Sequence, residues 1–312
     1  SNISANILKQ ELLSLGADAA ISRGSLTGQS KKTDCLLIAN LTQYRRLYRK
    51  LKQQPFGLDI LADDINKVLS DFQKRNFTLK AGNFEIYLGR KTRIAGIVNL
   101  TPDSFSEDGL YRDRRGDIRE YALSRVEKMI KDGADIIDIG GESSRPQSER
   151  ISVKEELGRV IPVIKFIAKR INKPISIDTY KPEVAGAALE NGASIINDIT
   201  ALRNPKMRRI AARTKAGVVL MHMKGTPRTM QRNPRYESLI DEIVDFLREA
   251  VLRAEDAGIN RESIIIDPGI GFGKTVNHNL EIINRLEEFK SLGLPIMVGP
   301  SRKSFIGRIL KL

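Results

Sequence analysis

The sequence predicts an α/β protein of the TIM (β/α)8 barrel type with a small α/β module ahead of it, and three observations carry that prediction. From about Ile94 onward, short runs rich in Ile, Val and Leu alternate with segments of helical period, the pattern of repeated βα units. Each run is apolar almost throughout, as expected of parallel strands covered on both faces. Polar residues gather just after the runs: Asn99, Glu142, Asp178, Asn197, His222, Asp267 and Lys303. In a parallel barrel those positions all open onto the C-terminal face.

Residues 1–80 have a different texture and read as an accessory module of unassigned role. A helix is expected over Ala5 to Leu15, a strand over Asp34 to Asn40, and helices over Tyr44 to Gln53 and Leu58 to Gln73. Residues 81–312 read as the barrel, entered by a hairpin of Phe84 to Gly89 and Lys91 to Ile94 that turns at Gly89. Its strands are Ile94 to Leu100, Ile136 to Gly140, Ile175 to Asp178, Ile195 to Asp198, Val218 to Met221, Ile264 to Asp267 and Ile296 to Gly299. Helices fill the intervals: Ile118 to Lys131, Lys154 to Arg170, Glu183 to Glu190, Lys206 to Thr214, Leu239 to Ala257 and Leu280 to Leu292. Gly133, Gly192, Gly217, Gly258 and Gly293 stand where left-handed helix caps are expected. An eighth strand and last helix are not in the sequence, so the barrel is expected to be cut short at its C-terminal end.

Composition narrows the partners. A net charge of +14 suits nucleic acid, an acidic membrane surface or a strongly anionic small substrate. Aromatic residues are not interleaved with the basic run Arg45, Arg46, Arg49, Lys50 and Lys52, so a solvated helix face is expected there and no nucleic-acid partner. The single cysteine, Cys35, is expected in a buried strand and points to a reducing compartment. With no long apolar run and no signal-like start, the expectation is a cytoplasmic protein without a membrane partner. Two distant histidines, His222 and His278, argue against a zinc hydrolase.

The chemistry concentrates in loops after the strands. Asn99-Leu-Thr-Pro-Asp-Ser-Phe-Ser106 offers an amide, hydroxyls and a carboxylate on one loop. Gly140-Gly-Glu-Ser-Ser-Arg-Pro146 combines close backbone approach with Ser144 and Arg145, able to hold an oxygen-rich ligand. Asp178, Asn197 and Asp267 each end a buried strand, where a carboxylate is costly unless it meets a cation-like or donor-rich partner. Singly, each could cap the following helix. The glycines after Asp267 lack the spacing of a dinucleotide fingerprint. Gly299-Pro-Ser-Arg-Lys-Ser-Phe305 opens a helix, a position suited to anion recognition.

These segments together resemble dihydropteroate synthases from about Phe84 onward. The string NLTPDSFS closely matches a signature of that family, SSRP resembles its second loop, and LMHM, DPGIGFGK and SRK follow in order. The resemblance implies condensation of 6-hydroxymethyl-7,8-dihydropterin pyrophosphate with p-aminobenzoate in folate biosynthesis, by a dissociative displacement of pyrophosphate. It assigns Asn99 to Mg²⁺ and pyrophosphate, and Asp178, Asn197, Asp267, Met221 and Lys303 to the pterin. Asp178, Lys303 and Asp103 are the residues it places nearest the chemistry. Phe105, Ser144, Arg145, Pro146, Phe272 and Ser301 fall to the p-aminobenzoate side and its loops. A two-donor pterin edge suits the Asp267 carboxylate as an arginine fork would. A homodimer and sulfonamide sensitivity are also implied. Two departures stand out: Gln147 replaces a usual glycine, and Glu107-Asp108 replaces the common Asp-Gly. The rival readings are a methyltetrahydrofolate-dependent corrinoid methyltransferase and a non-catalytic pterin-binding protein.

Overall fold

The structure, a computed structural model, describes residues 1–29, 32–101, 117–143, 148 and 150–311. The chain forms two compact units, residues 1–74 with 291–293, and residues 75–290 with 294–312.

In the first unit, α1 (Asn2–Leu13), α3 (Leu41–Leu51) and α4 (Leu58–Gln73) supply Leu8, Leu12, Leu47, Leu51 and Leu58 to one core. Asn40 and Gln43 start α3 with a reciprocal capping box, each side chain bonding the other's backbone N–H. Two short strands, β1 (Asp18–Ile21) and β2 (Cys35–Ile38), pair antiparallel from Asp18↔Ile38 to Ile21↔Cys35, with the four-residue α2 (Arg23–Leu26) between them. No strand is predicted at Asp-Ala-Ala-Ile, whose residues have little β preference of their own, and pairing with β2 creates it. Cys35 lies in β2 but is half-buried, because the strand covers the core with only one face. On α3, Arg45, Arg46 and Arg49 are exposed and Lys50 pairs with Glu11 at 2.6 Å, while Lys52, just past its end, pairs with Asp63 at 2.9 Å.

The second unit opens with a hairpin of β3 (Phe77–Ala81) and β4 (Phe84–Leu88), in register from Phe77↔Leu88 to Ala81↔Phe84. This corrects the expected hairpin at Gly89: the turn is at Gly82, in the left-handed region at φ 58°, and the segment after Gly89 joins no hairpin. Leu79, Ala81 and Ile86 pack on Ile195, Val219 and Ile265 from inside the main sheet. The approach is close, since a side chain on Gly217 would begin 2.9 Å from Ala81 Cβ.

That sheet is parallel, in the order β5 (Ala95–Asn99), β6 (Ile136–Gly140), β7 (Ile175–Asp178), β8 (Ile195–Asp198), β9 (Gly217–Met221), β10 (Ile264–Asp267). Helices α5 (Ile118–Lys131), α6 (Val153–Ile167), α7 (Pro182–Glu190), α8 (Pro205–Thr214) and α9 (Leu239–Asp256) connect successive strands, and α10 (Val276–Asn284) follows β10. Strand side chains alternate between the faces. Ile137, Ile139, Ile177, Ile196, Val218, Leu220, Ile264 and Ile266 share one face and are buried, while Ile195, Val219 and Ile265 meet the hairpin on the other. This two-sided burial is the physical source of the largely apolar runs.

Three expectations need correction. Among the described residues the seventh run makes a single parallel bridge, Ile266↔Ile296, in which the Ile266 N–H donates to the Pro295 carbonyl at 3.0 Å and the Met297 N–H to the Ile266 carbonyl at 2.8 Å, too short a pairing to count as a strand. The helix expected over Leu280 to Leu292 is two pieces, α10 and a 3-10 turn Leu286–Leu292 that buries Phe289 completely. Gly217 is not a helix cap but the first residue of β9, and Lys215 takes the left-handed cap at φ 53°. Helix α11 (Ser304–Leu310) follows Lys303.

Candidate active site

Register assembles the site. Asn99 pairs laterally with Gly140, Gly140 with Asp178, and Asp178 with Asn197, so four consecutive strands place these residues in one row at their C-terminal ends. The row continues through Val219 to Ile265, one alternation below Met221 and Asp267, which are themselves partners. The polar row therefore faces the same way as the layer that packs on the hairpin. One end of the interior is filled with apolar side chains, and the polar end is left for a ligand.

Within the row, glycine makes the space. A side chain on Gly140 would begin 3.5 Å from Asn99 Oδ1 and 3.5 Å from Asp178 Oδ2. One step deeper lies Asp138, 6% exposed, which accepts from Asn197 Nδ2 at 3.2 Å and from Ser176. Its second oxygen is buried and has no hydrogen-bond partner among the described residues. Sequence reasoning passed over Asp138; an acid inside Ile-Ile-Asp-Ile-Gly was the available signal.

Burial raises the Asp138 carboxyl above its usual range, opposed by the Ser176 and Asn197 hydrogen bonds. Asp178 is raised well above it, by burial first and then by the nearby charges of Asp138, Glu156 and Asp198, with Lys303 opposing. Asp267 is pushed up to about 6 by burial, while the Gly269 N–H, donating to Oδ1 at 2.7 Å, and the charges of Lys274 and Lys303 hold it down. Concentrated buried acceptors of this kind suit a ligand that brings N–H donors or positive charge.

Opposite the acids, the Lys303 ammonium stands 3.9 Å from the centre of the Phe272 ring. Its stem lies along Gly271, where a Cβ would fall 2.8 Å from Lys303 Cδ. Burial lowers the Lys303 ammonium below its ordinary value, against the pull of Asp267 and Asp178. Phe272 joins Met221, Met223, Met230 and Ile199 in an apolar cluster, a suitable wall for a flat ring. Asn99, Asp178, Asn197, Met221, Asp267, Phe272 and Lys303 thus share the C-terminal end of the sheet. Ser301 is exposed on the preceding turn and its side chain makes no hydrogen bond among the described residues. Asp103, Phe105, Ser144, Arg145 and Pro146 lie outside the described residues.

Two networks support these residues. Lys181 holds Glu142, Glu156 at 2.6 Å and the Ile151 carbonyl at 2.8 Å, and Tyr180 donates to Glu142 at 2.7 Å. His222 is buried, with Nδ1 2.9 Å from Lys274 Nζ. His278 sits in the first turn of α10, completing a capping box with Thr275.

For a cation, the described residues contain no group of three or more His, Cys, Asp or Glu able to enclose one. Mg²⁺ keeps much of its water and needs few protein oxygens. Asn99 Oδ1, at the exposed end of the row and facing the gap above Gly140, fits that requirement.

The row of buried acceptors suits a ligand rich in N–H donors, and a family model for pterin binding enzymes matches residues 95–312. The dihydropteroate synthase of Clostridium beijerinckii is 46% identical over 235 residues, covering 75% of this chain and 83% of that protein. The chain belongs to the dihydropteroate synthase family of pterin binding enzymes. A probable bifunctional folylpolyglutamate synthase/dihydropteroate synthase of Halobacterium salinarum is 42% identical over 306 residues, which is 98% of this chain and 36% of that protein. The chain therefore spans about a third of that relative's length, and its N-terminal unit falls within the match. The Xanthomonas albilineans dihydropteroate synthase with 4-aminobenzoic acid superposes with a TM-score of 0.69 at 40% identity, covering 76% of this chain and 82% of that one.

Proposed function

We propose that this chain carries dihydropteroate synthase activity, condensing 6-hydroxymethyl-7,8-dihydropterin pyrophosphate with p-aminobenzoate to give 7,8-dihydropteroate and pyrophosphate. The lateral row Asn99, Gly140, Asp178 and Asn197, with Asp267 beside it and Lys303 opposite, carries the reading. Asp267 accepts from the pterin 2-amino group and the adjacent ring N–H, Asn197 and Asp178 hold the remaining ring edge, and Lys303 donates to the pterin carbonyl region. Met221 and Phe272 wall the rings, with Ser301 on the p-aminobenzoate side.

No protein nucleophile is needed. The methylene C–O bond breaks, pyrophosphate departs with the electron pair, and the p-aminobenzoate nitrogen forms the new C–N bond and releases a proton. Positive charge spread into the pterin as the bond breaks is stabilised by Asp178 and by the deeper, buried Asp138, both already in place. Mg²⁺, held by Asn99 Oδ1, would neutralise charge on the leaving pyrophosphate.

The reading extends to a cytoplasmic homodimer. No helix among the described residues is long and apolar enough to cross a membrane, and Leu252, Leu280 and Ile283 on α9 and α10 leave apolar surface for a second copy. Light scattering tests the dimer. A single-turnover assay with both substrates and Mg²⁺ tests the activity, with sulfonamide competing against p-aminobenzoate. Folded protein that binds pterin without forming dihydropteroate would favour the non-catalytic reading, and methyl transfer to a corrinoid would favour the methyltransferase.

A further inference from the structure

Lys274 takes no part in the reaction above, yet it is only 3% exposed. A buried ammonium is tolerated when acceptors replace its water. Here Nζ lies 2.9 Å from His222 Nδ1 and donates to the Phe272 carbonyl at 3.0 Å and the His222 carbonyl at 3.5 Å. The His222 ring accepts because burial, then Lys274, Lys224 and Arg203, keep it neutral.

The turn after β10 is wound around this ammonium. Gly269, Gly271 and Gly273 have φ of 72°, 82° and 67°, and a side chain on Gly269 would begin 1.9 Å from the His222 carbonyl and 3.4 Å from Lys274 Nζ. Gln231 Nε2 donates to the Gly271 carbonyl at 2.8 Å, Tyr236 Oη to the Gly273 carbonyl at 2.8 Å, and Gly271 N to Asn279 Oδ1 at 2.8 Å. The turn carries two site residues, Asp267 at its start and Phe272 beneath Lys303. A backbone fixed at this many points has been made rigid around them.

We propose that Lys274 is a positioning residue of the pterin site: it ties the Phe272 carbonyl to His222, setting the Phe272 ring under Lys303, and it faces Asp267 with a positive charge. The proposal rests on the pterin reading. Lys274 acts through Asp267 and Phe272 and touches no substrate. Among the described residues the charged groups facing Asp267 are Lys274 and Lys303, and Lys303 also faces Asp178; burial lowers the Lys274 ammonium to about 7, with Lys303 and Lys224 adding to the fall and Asp267 opposing it, so its charge is present through the acid limb near pH 6.

The test compares the wild-type chain with Lys274→Met, Lys274→Gln and Lys274→Arg. Binding of 6-hydroxymethyl-7,8-dihydropterin is measured by calorimetry from about pH 5 to about pH 8, with melting temperatures alongside. Removing the cation disfavours ionised Asp267, so the acid limb of binding is expected to move to higher pH in Met and Gln, with at least about a tenfold loss of affinity near pH 6. Gln keeps a hydrogen-bond donor for the turn, so it reads the charge even if Met fails to fold. Arg should restore the wild-type limb. Equal losses at every pH, or unchanged binding in a folded Gln variant beside a wild-type chain that binds normally, overturn the role of Lys274 alone. Failure of the wild-type chain to bind the pterin overturns the pterin reading and this role with it.

Discussion

Asn99 and Asp178 stand on either side of Gly140, their nearest oxygens each 3.5 Å from the point where a side chain on that glycine would begin. That distance is ordinary van der Waals contact, so an added methyl fits the fold while entering the space between two polar groups. We expect Gly140→Ala to change folding stability by under about 1 kcal/mol and to raise KM for the pterin pyrophosphate at least about tenfold. Melting curves and steady-state kinetics on one preparation check both halves, and an unchanged KM would remove this gap from the site.

Asp267 gives a pH signature. Its carboxyl is pushed up to about 6, by burial more than its partners hold it down. Pterin affinity is expected to fall as pH drops through about 6, because protonation removes an acceptor the pterin donors need. Asp267→Asn should bind pterin much more weakly and lose this acid limb. Calorimetric titration across the range decides, and unaltered affinity in the variant would end the assignment.

His222 predicts a stability slope. Burial, with Lys274 next, depresses its pKa from 6.5 to about 2. Between those values the unfolded chain binds a proton that the folded chain does not, so this group makes stability fall as pH falls from 6.5 toward 2. His222→Gln, which keeps an acceptor for Lys274, should flatten urea-measured stability over that window. An equal slope in both proteins would refute the buried neutral imidazole.

Lys181 predicts a large loss of stability. Its ammonium serves Glu142 and Glu156, whose side chains are 11% and 1% exposed. Burial works against the ammonium, but the two carboxylates outweigh it and raise its pKa. Lys181→Met leaves the Glu156 charge buried without its partner, a loss of about 3–5 kcal/mol. Lys181→Met with Glu156→Gln should recover part of that loss in chemical denaturation.

The sequence determined the repeat of parallel strands, since burial on both faces forces the runs at Ile136–Gly140, Ile175–Asp178, Ile195–Asp198 and Ile264–Asp267 to be largely apolar. It also presented the residues at those ends, from Asn99 to Lys303, because chemistry at one rim must be written just after each strand. Gly82 and Gly89 are equally plausible hairpin turns locally, and only packing of Leu79 and Ile86 on the sheet interior distinguishes them. Asp138 stayed hidden inside an apolar run until register set it beside Ser176 and Asn197. His222 and Lys274 are 52 positions apart, and nothing in either segment announces the other. Strand identity follows from local pattern, whereas register, burial of charge and contact between distant loops depend on how the whole chain closes around them, and the tertiary structure alone decided those.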